Sequence, residues 1–190
     1  MKPKDEKKLN AVIAATCRLA TERGLFGLTL AQIAKEAGIG TSTLYIYFSD
    51  KESLFNEVYR RAKREALDFY STGIDHNLPL KGRVRSIWNK MLDHRLRRFD
   101  QVTFMEQFVG SIFMTDESRA FVDRHSEGLL QIVIEGQTEE IIKMAPIPFI
   151  SSFFFGSIRE TARLIRAGVV ADSEENREIA FQLCWDGIRI

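Results

Sequence analysis

Long apolar runs are missing from this 190-residue chain. No stretch of about 18 apolar residues occurs, so no membrane-spanning helix is expected. The opening MKPKDEKK is polar and lacks the apolar centre of a signal region. Cysteine is scarce. Cys17 and Cys184 are the two present, with no CxxC, which excludes a disulfide framework. A reducing, cytoplasmic location is the expectation that follows. Histidine is nearly as rare. His76, His94 and His125 are the three, and none has a carboxylate three residues earlier, so the Glu-x-x-His pattern of di-iron bundles is absent. HExxH, GxSxG and P-loop patterns are absent too. Gly38-Ile39-Gly40-Thr41-Ser42-Thr43 half-resembles a GxGxxG loop, but it lacks the third glycine and sits in no βαβ unit. No metal, no cofactor and no enzymatic activity are expected.

What is present is an ordinary 45% of hydrophobic residues, enough for a core, and an uneven distribution of charge. Residues 1–64 carry 12 Lys/Arg and 7 Asp/Glu, a net +5, while residues 65–190 carry 15 and 19, a net −4. A basic amino end on a slightly acidic remainder points to an anionic partner, with chance surface variation as the alternative.

The pattern is helical almost throughout and predicts an all-α fold of about nine helices. Leu9, Val12, Ile13, Thr16 and Ala20 lie on one face of a first helix. Gly24 suits its left-handed cap. Thr29 with Gln32 forms a capping box that starts a short second helix ending at Gly38. A turn at Ile39-Gly40 leads to a third, Thr41 to Phe48. Ser49 with Glu52 reads as a second capping box for helix four, which carries Leu54, Phe55, Val58, Ala62, Ala66 and Phe69 on one side. Two short helices joined by a tight glycine turn have the layout of a helix-turn-helix. Further helices are expected from about Gly82 to Phe99, Phe104 to Phe113, Asp116 to Met144, Phe149 to Ala167 and Ser173 onward. No strand alternation persists, and no repeat or low-complexity linker is visible.

Residues 41–48 are unusual in composition. Leu44 and Phe48 share the inner side of the helix, while Ser42 and Ile46 point the opposite way, flanked by Thr43 and Tyr47 on one side and Thr41 and Tyr45 on the other. Hydroxyls reach phosphates and base edges, and apolar side chains can touch a thymine methyl, so this face suits the major groove of DNA. Lys51 falls in the first turn of helix four, where its charge opposes the helix dipole. A phosphate there would remove the conflict. The alternative is a solvated hairpin whose tyrosines pack sideways.

Thr29-Leu30-Ala31-Gln32-Ile33-Ala34, then Ala37-Gly38-Ile39, then Thr43-Leu44-Tyr45-x-Tyr47-Phe48-x-x-Lys51-x-x-Leu54 resembles the DNA-binding signature of TetR-type (TetR/AcrR) transcriptional regulators. The resemblance covers about residues 9–58. It implies a helix-turn-helix DNA-binding domain over residues 1–55 and a ligand-binding and dimerisation domain over 56–190. It implies DNA contacts at Thr29, Thr41, Ser42, Thr43, Tyr45, Tyr47 and Lys51, with Leu44 and Phe48 as packing positions. Many members carry histidine where this chain has Tyr47, and both side chains can donate to a phosphate. The third helix holds no arginine to grip guanine, so modest direct readout is expected, with dependence on phosphates and DNA shape.

The implied partners are a double-stranded DNA operator, a second copy of the chain in a homodimer and a small lipophilic effector, with no membrane. The implied mode is repression relieved by the effector. Trp88, Phe104, Met105, Phe108 and Phe153 are candidates to line the effector cavity, with Gln107, His125 or Arg159 as polar handles. Phe155, Ile158, Ala162, Ile165, Phe181 and Trp185 are candidates for the contact between copies. A helical small-molecule-binding or enzymatic bundle without DNA binding remains the alternative function.

Overall fold

The computed structural model describes residues 3–190, with side chains from residue 6 onward; the first two residues of the expected 1–55 domain lie outside the described residues. Among the described residues the chain forms nine α-helices and no strand: α1 (Pro3–Arg23), α2 (Leu30–Glu36), α3 (Thr41–Tyr47), α4 (Lys51–Ser71), α5 (Leu80–Arg97), α6 (Phe99–Phe108), α7 (Asp116–Thr138), α8 (Ile147–Arg166) and α9 (Glu174–Ile188). One isolated bridge, Ile142 with Arg189, is the sole β-type pairing among them.

The helix ends follow from local chemistry. Thr29 caps α2: its hydroxyl accepts the Gln32 amide at 3.2 Å, and the Gln32 side chain accepts the Thr29 amide at 2.9 Å. At the other end Gly38 takes φ +69°, the Ile39 amide donates to the Ala34 carbonyl and the Gly38 amide to that of Lys35. That pairing is a Schellman motif, and only glycine adopts its left-handed residue without strain. The same bonds recur at Gly168 after α8.

Several boundaries differ from the sequence reading. Helix α4 is capped by Asp50, not Ser49. The Asp50 carboxylate accepts the Ser53 amide at 2.7 Å and the Ser53 hydroxyl accepts the Asp50 amide at 3.3 Å, a capping box one residue later than Ser49 and Glu52. Phe48, extended at φ −138°, turns into the core and leaves Ser49 outside the helix. A carboxylate is also the stronger acceptor at a helix amino end. Helix α6 runs from Phe99 to Phe108, earlier than expected, and α7 stops at Thr138. Helix α8 starts two residues before Phe149, because Pro146 is its N-cap and Pro148 falls in the first turn, where no amide needs an acceptor.

The helices gather into two compact units. The first holds the chain up to Glu65 together with Arg98–Arg124; the second holds Ala66–Arg97 and His125–Ile190. In the first, Phe55 meets the edges of Phe104 and Phe113, and Tyr59 lies 4.8 Å from Phe108 between ring centres. Tyr59 and Cys17 are buried there, and burial pushes both the phenol and the thiol up to about 12. In the second, Trp88, Phe181 and Trp185 form the middle of a core completed by residues such as Leu80, Leu92, Ile142, Ile158 and Ala162. The Trp88 indole N–H donates to the Ser157 hydroxyl at 3.0 Å.

This packing revises the candidates for a contact between copies. Ile158, Ala162, Phe181 and Trp185 are buried inside their own chain and present nothing to a second copy. Their periodicity is that of the inner face of α8 and α9. Phe155 is exposed and Ile165 half-buried.

Candidate nucleic-acid interface

Seven residues make α3, and one apolar anchor holds its middle: Leu44 is fully buried. Phe48, which follows the helix, is buried as well. The spacing of these two fixes what the opposite side shows. Thr41, Ser42, Tyr45 and Ile46 are exposed, and Thr43 and Tyr47 are half-buried on the flanks. Tyr45 is 54% exposed and Ile46 80%. Thr29 is exposed at the start of α2. Its hydroxyl accepts the Gln32 amide and donates to the Gln32 side-chain oxygen at 3.1 Å, so it is held in place as part of the cap.

Lys51 has a more specific setting than its position in α4 implies. Its ammonium donates to the carbonyls of Phe26 at 3.2 Å and Leu28 at 3.1 Å, and it lies 4.9 Å from the centre of the Phe113 ring. The unfavourable charge at the amino end of α4 is thus offset by two loop carbonyls and a ring face. Two of its three N–H donors are used this way.

Two side-chain amides, the half-buried Gln107 and the buried Asn56, brace this head, and the sequence reading missed both roles. Gln107 on α6 accepts the Leu25 amide at 2.8 Å and donates to the Ala20 carbonyl at 3.1 Å, tying the end of α1 and the following loop to α6. It was expected as a polar handle for a ligand, and its side chain is instead occupied by backbone. Asn56 donates to the carbonyls of Glu52 and Phe113 and accepts from the Thr115 amide, the Thr115 hydroxyl and the Ser118 hydroxyl. A lone Asn within an apolar helical stripe is the signal that could have marked it, because a buried amide needs partners.

The ligand-lining candidates are distributed over both units. Phe104, Met105 and Phe108 are buried in the first, Trp88 in the second. Phe153 is 52% exposed, and its ring rests on the backbone of α9 at Gly187, where any Cβ would strike it. A cleft of about 430 Å³ in the second unit is lined by Arg85, Asn89, Ser173 and charged neighbours. None of the sequence candidates lines it. Most of its charges are already matched: Arg177 pairs with Asp172 and Asp93, and Arg85 with Glu178.

Residues 12–58 match the sequence model of the family described as bacterial regulatory proteins, tetR family. The whole chain superposes on a TetR family transcription regulator from Marinobacter aquaeolei VT8 with a TM-score of 0.92, at 28% identity, covering 100% of this chain and 99% of that one. Its amino-terminal segment is thus similar to the tetR family, and its whole fold to that of a TetR family regulator.

Curated relatives of this chain include an uncharacterized HTH-type transcriptional regulator of Haemophilus influenzae, 28% identical over 42% of this chain and 43% of its own length. Another, from Bacillus subtilis, is 29% identical over 48% of this chain and 47% of its own length. The chain thus spans less than half the length of these relatives. The fatty acid metabolism regulator protein of Bacillus subtilis is 24% identical over 85% of this chain and 84% of its own length. No helix among the described residues is long and apolar enough to cross a membrane.

Proposed function

We propose that this protein regulates transcription by binding a double-stranded DNA operator as a homodimer, and that a small lipophilic effector releases it. The observation that carries the reading is the outward face of α3: Ser42 and Ile46 exposed opposite the buried Leu44, with Thr41 and Tyr45 exposed beside them, within the segment that matches the family. Residues 1–55 act as the DNA-binding domain and residues 56–190 as the ligand-binding and dimerisation domain. Ser42 and Ile46 lie toward the bases. Thr29, Thr41, Thr43, Tyr45, Tyr47 and Lys51 contact sugar and phosphate, with Lys51 as the charged contact.

Two copies are required, because recognition helices must reach successive major grooves about 34–36 Å apart or a multiple of that. The surface proposed for pairing is the outer face of α8 and α9. Phe149 and Phe153 are exposed on α8, Ile179 and Leu183 on α9 at the same four-residue spacing, and the Phe153–Gly187 contact joins the two stripes. An exposed apolar surface of this kind marks an association site. The effector class rests on the apolar and aromatic side chains of the helical body and on the relative named for fatty acid metabolism. Effector binding would act by shifting the population of head arrangements. Repression, and a place in the cytoplasm beside the DNA, complete the reading.

The test is a shift assay on random duplex across a salt series. A steep fall of affinity with salt is expected. A protein that shows no duplex binding at low salt overturns the reading and leaves the helical ligand-binding bundle in its place.

A further inference from the structure

Helix α3 contains no Arg, Lys, Asn, Gln, Asp or Glu: its sequence is TSTLYIY. The side chains that distinguish bases by paired hydrogen bonds are therefore absent from it. Its hydroxyls serve donors and acceptors alike, so Thr41 and Ser42 select weakly among base pairs. Two exposed side chains with apolar surface remain, Tyr45 at 54% and Ile46 at 80%, and Ile46 is the one turned squarely away from the anchor. Ile46 lies about 200° around the helix from Leu44, the fully buried anchor, and so projects directly away from the head. It is 80% exposed, far more than Thr43 or Tyr47 on the flanks, and it sits one turn after Ser42 on the same ridge. An isoleucine left in water at the centre of a hydroxyl-rich face forgoes most of the burial that its side chain could gain.

From this we infer that Ile46 is the specificity-determining residue of α3, and that it reads the C5-methyl group of a pyrimidine in the major groove. The inference rests on the proposed DNA-binding function and specifies how the operator is recognised. The major groove edge of thymine displays such a methyl, and 5-methylcytosine displays the same group at the same place. An aliphatic side chain is suited to either. A hydroxyl-bearing neighbour, Ser42, then satisfies an adjacent polar base edge without fixing its identity.

The experiment begins by selecting bound duplexes from a random pool with the full-length protein. In the best selected duplex, each thymine is replaced singly by deoxyuridine, which deletes the methyl and keeps every hydrogen bond. Each cytosine is replaced singly by 5-methylcytosine. Affinities are compared for the wild type and for Ile46→Ala, whose folding is checked by circular dichroism. One thymine per half-site is expected to respond to deoxyuridine, with affinity falling about four-fold per methyl removed. Ile46→Ala is expected to bind the thymine and deoxyuridine duplexes equally. Should the responsive base be a cytosine, methylation raises the affinity of the wild type and leaves that of Ile46→Ala unchanged, which supports the same contact with the modified base as its source. A wild type indifferent to every methyl overturns the inference while leaving DNA binding intact. A methyl response that survives in Ile46→Ala also overturns it, because another side chain then makes the contact. A protein that enriches no duplex overturns the proposed function and this inference with it.

Discussion

The two compact units share apolar burial and differ in what is added to it. The first, which carries α2 and α3, has a buried aromatic and aliphatic core and adds side chains that bond to the backbone of its loops and helix ends. Thr29, Asp50, Lys51, Asn56 and Gln107 each fix a loop or a helix end. The second depends on apolar burial around Trp88, Phe181 and Trp185 and leaves several large apolar groups in solvent along α8 and α9. The difference follows from what each surface presents. A seven-residue helix that spends one face on hydroxyls retains little apolar area with which to anchor itself, and it is marginal alone. Directed hydrogen bonds must supply the rest. Long amphipathic helices have area to spare, and the surplus is available to a second copy.

Removing one polar brace from the first unit is the largest expected perturbation. Asn56→Ala deletes a buried side chain and leaves the Phe113 carbonyl and the hydroxyls of Thr115 and Ser118 short of partners. A loss of about 2–4 kcal/mol in urea unfolding is expected. A change below about 0.5 kcal/mol would mean that the first unit is held by packing after all, since surface-like substitutions fall in that range.

The matching probe of the second unit is steric. A Cβ at Gly136 would lie 2.6–2.8 Å from side-chain atoms of Ile142 and Leu80, both buried. Gly136→Ala should cost about 1–3 kcal/mol by overpacking. Gly187→Ala meets only the half-exposed ring of Phe153, which can swing outward. It should cost less in stability and show its effect on association instead, read by analytical ultracentrifugation. Equal losses for the two glycines would contradict the distinction between a filled core and an open face.

Acid should weaken the second unit through its ion pairs. Hydrogen bonds from Arg177 hold Asp172 below its ordinary value of 3.8, and those from Arg83 hold Glu135 below 4.5. The folded state therefore binds these protons less tightly than the unfolded chain does. Their contribution is complete above the ordinary values and is lost as pH falls through the lowered ones. Thermal midpoints should hold from neutrality to about pH 5 and fall below about pH 4. Replacing Arg83 with methionine should flatten part of that fall, and an unchanged profile would remove this pair from the account.

The smallest effect separates two readings of one helix start. Asp50→Ala should lower the unfolding midpoint and Ser49→Ala should leave it in place, because Asp50 accepts the Ser53 amide. The reverse ranking would restore the cap at Ser49. Here the sequence was ambiguous for a physical reason. Ser49 with Glu52 and Asp50 with Ser53 are overlapping frames of one local pattern, and the extended Phe48, drawn into the core, selected the second.

Features set by neighbours three or four residues apart were legible. The Thr29–Gln32 box, the Gly38 cap and the inward Leu44 follow from helical geometry alone and stand where the pattern put them; Phe48 is inward as expected, but by an extended turn of the chain after the helix ends at Tyr47. The outward ridge of α3 was legible for the same reason. Which apolar residues of α8 and α9 turn inward was not, because both helices are apolar over more than one face and periodicity cannot rank the faces. Gln107 and Asn56 were beyond reach as well. Gln107 bonds to groups 82 and 87 positions away, and Asn56 to groups 57 and 62 positions away.

By itself, then, the order of residues determined the nine-helix plan of the described residues, the head with its hydroxyl-bearing helix and the segment that matches the tetR family. Tertiary structure alone decided that Lys51 folds back on the carbonyls of Phe26 and Leu28, that two amides brace the head, and that Phe153 lies over Gly187. The reason is one of range. A helix and its caps are satisfied within a few residues of chain, whereas a buried amide or a ring over a bare backbone finds its partner only after distant helices have packed.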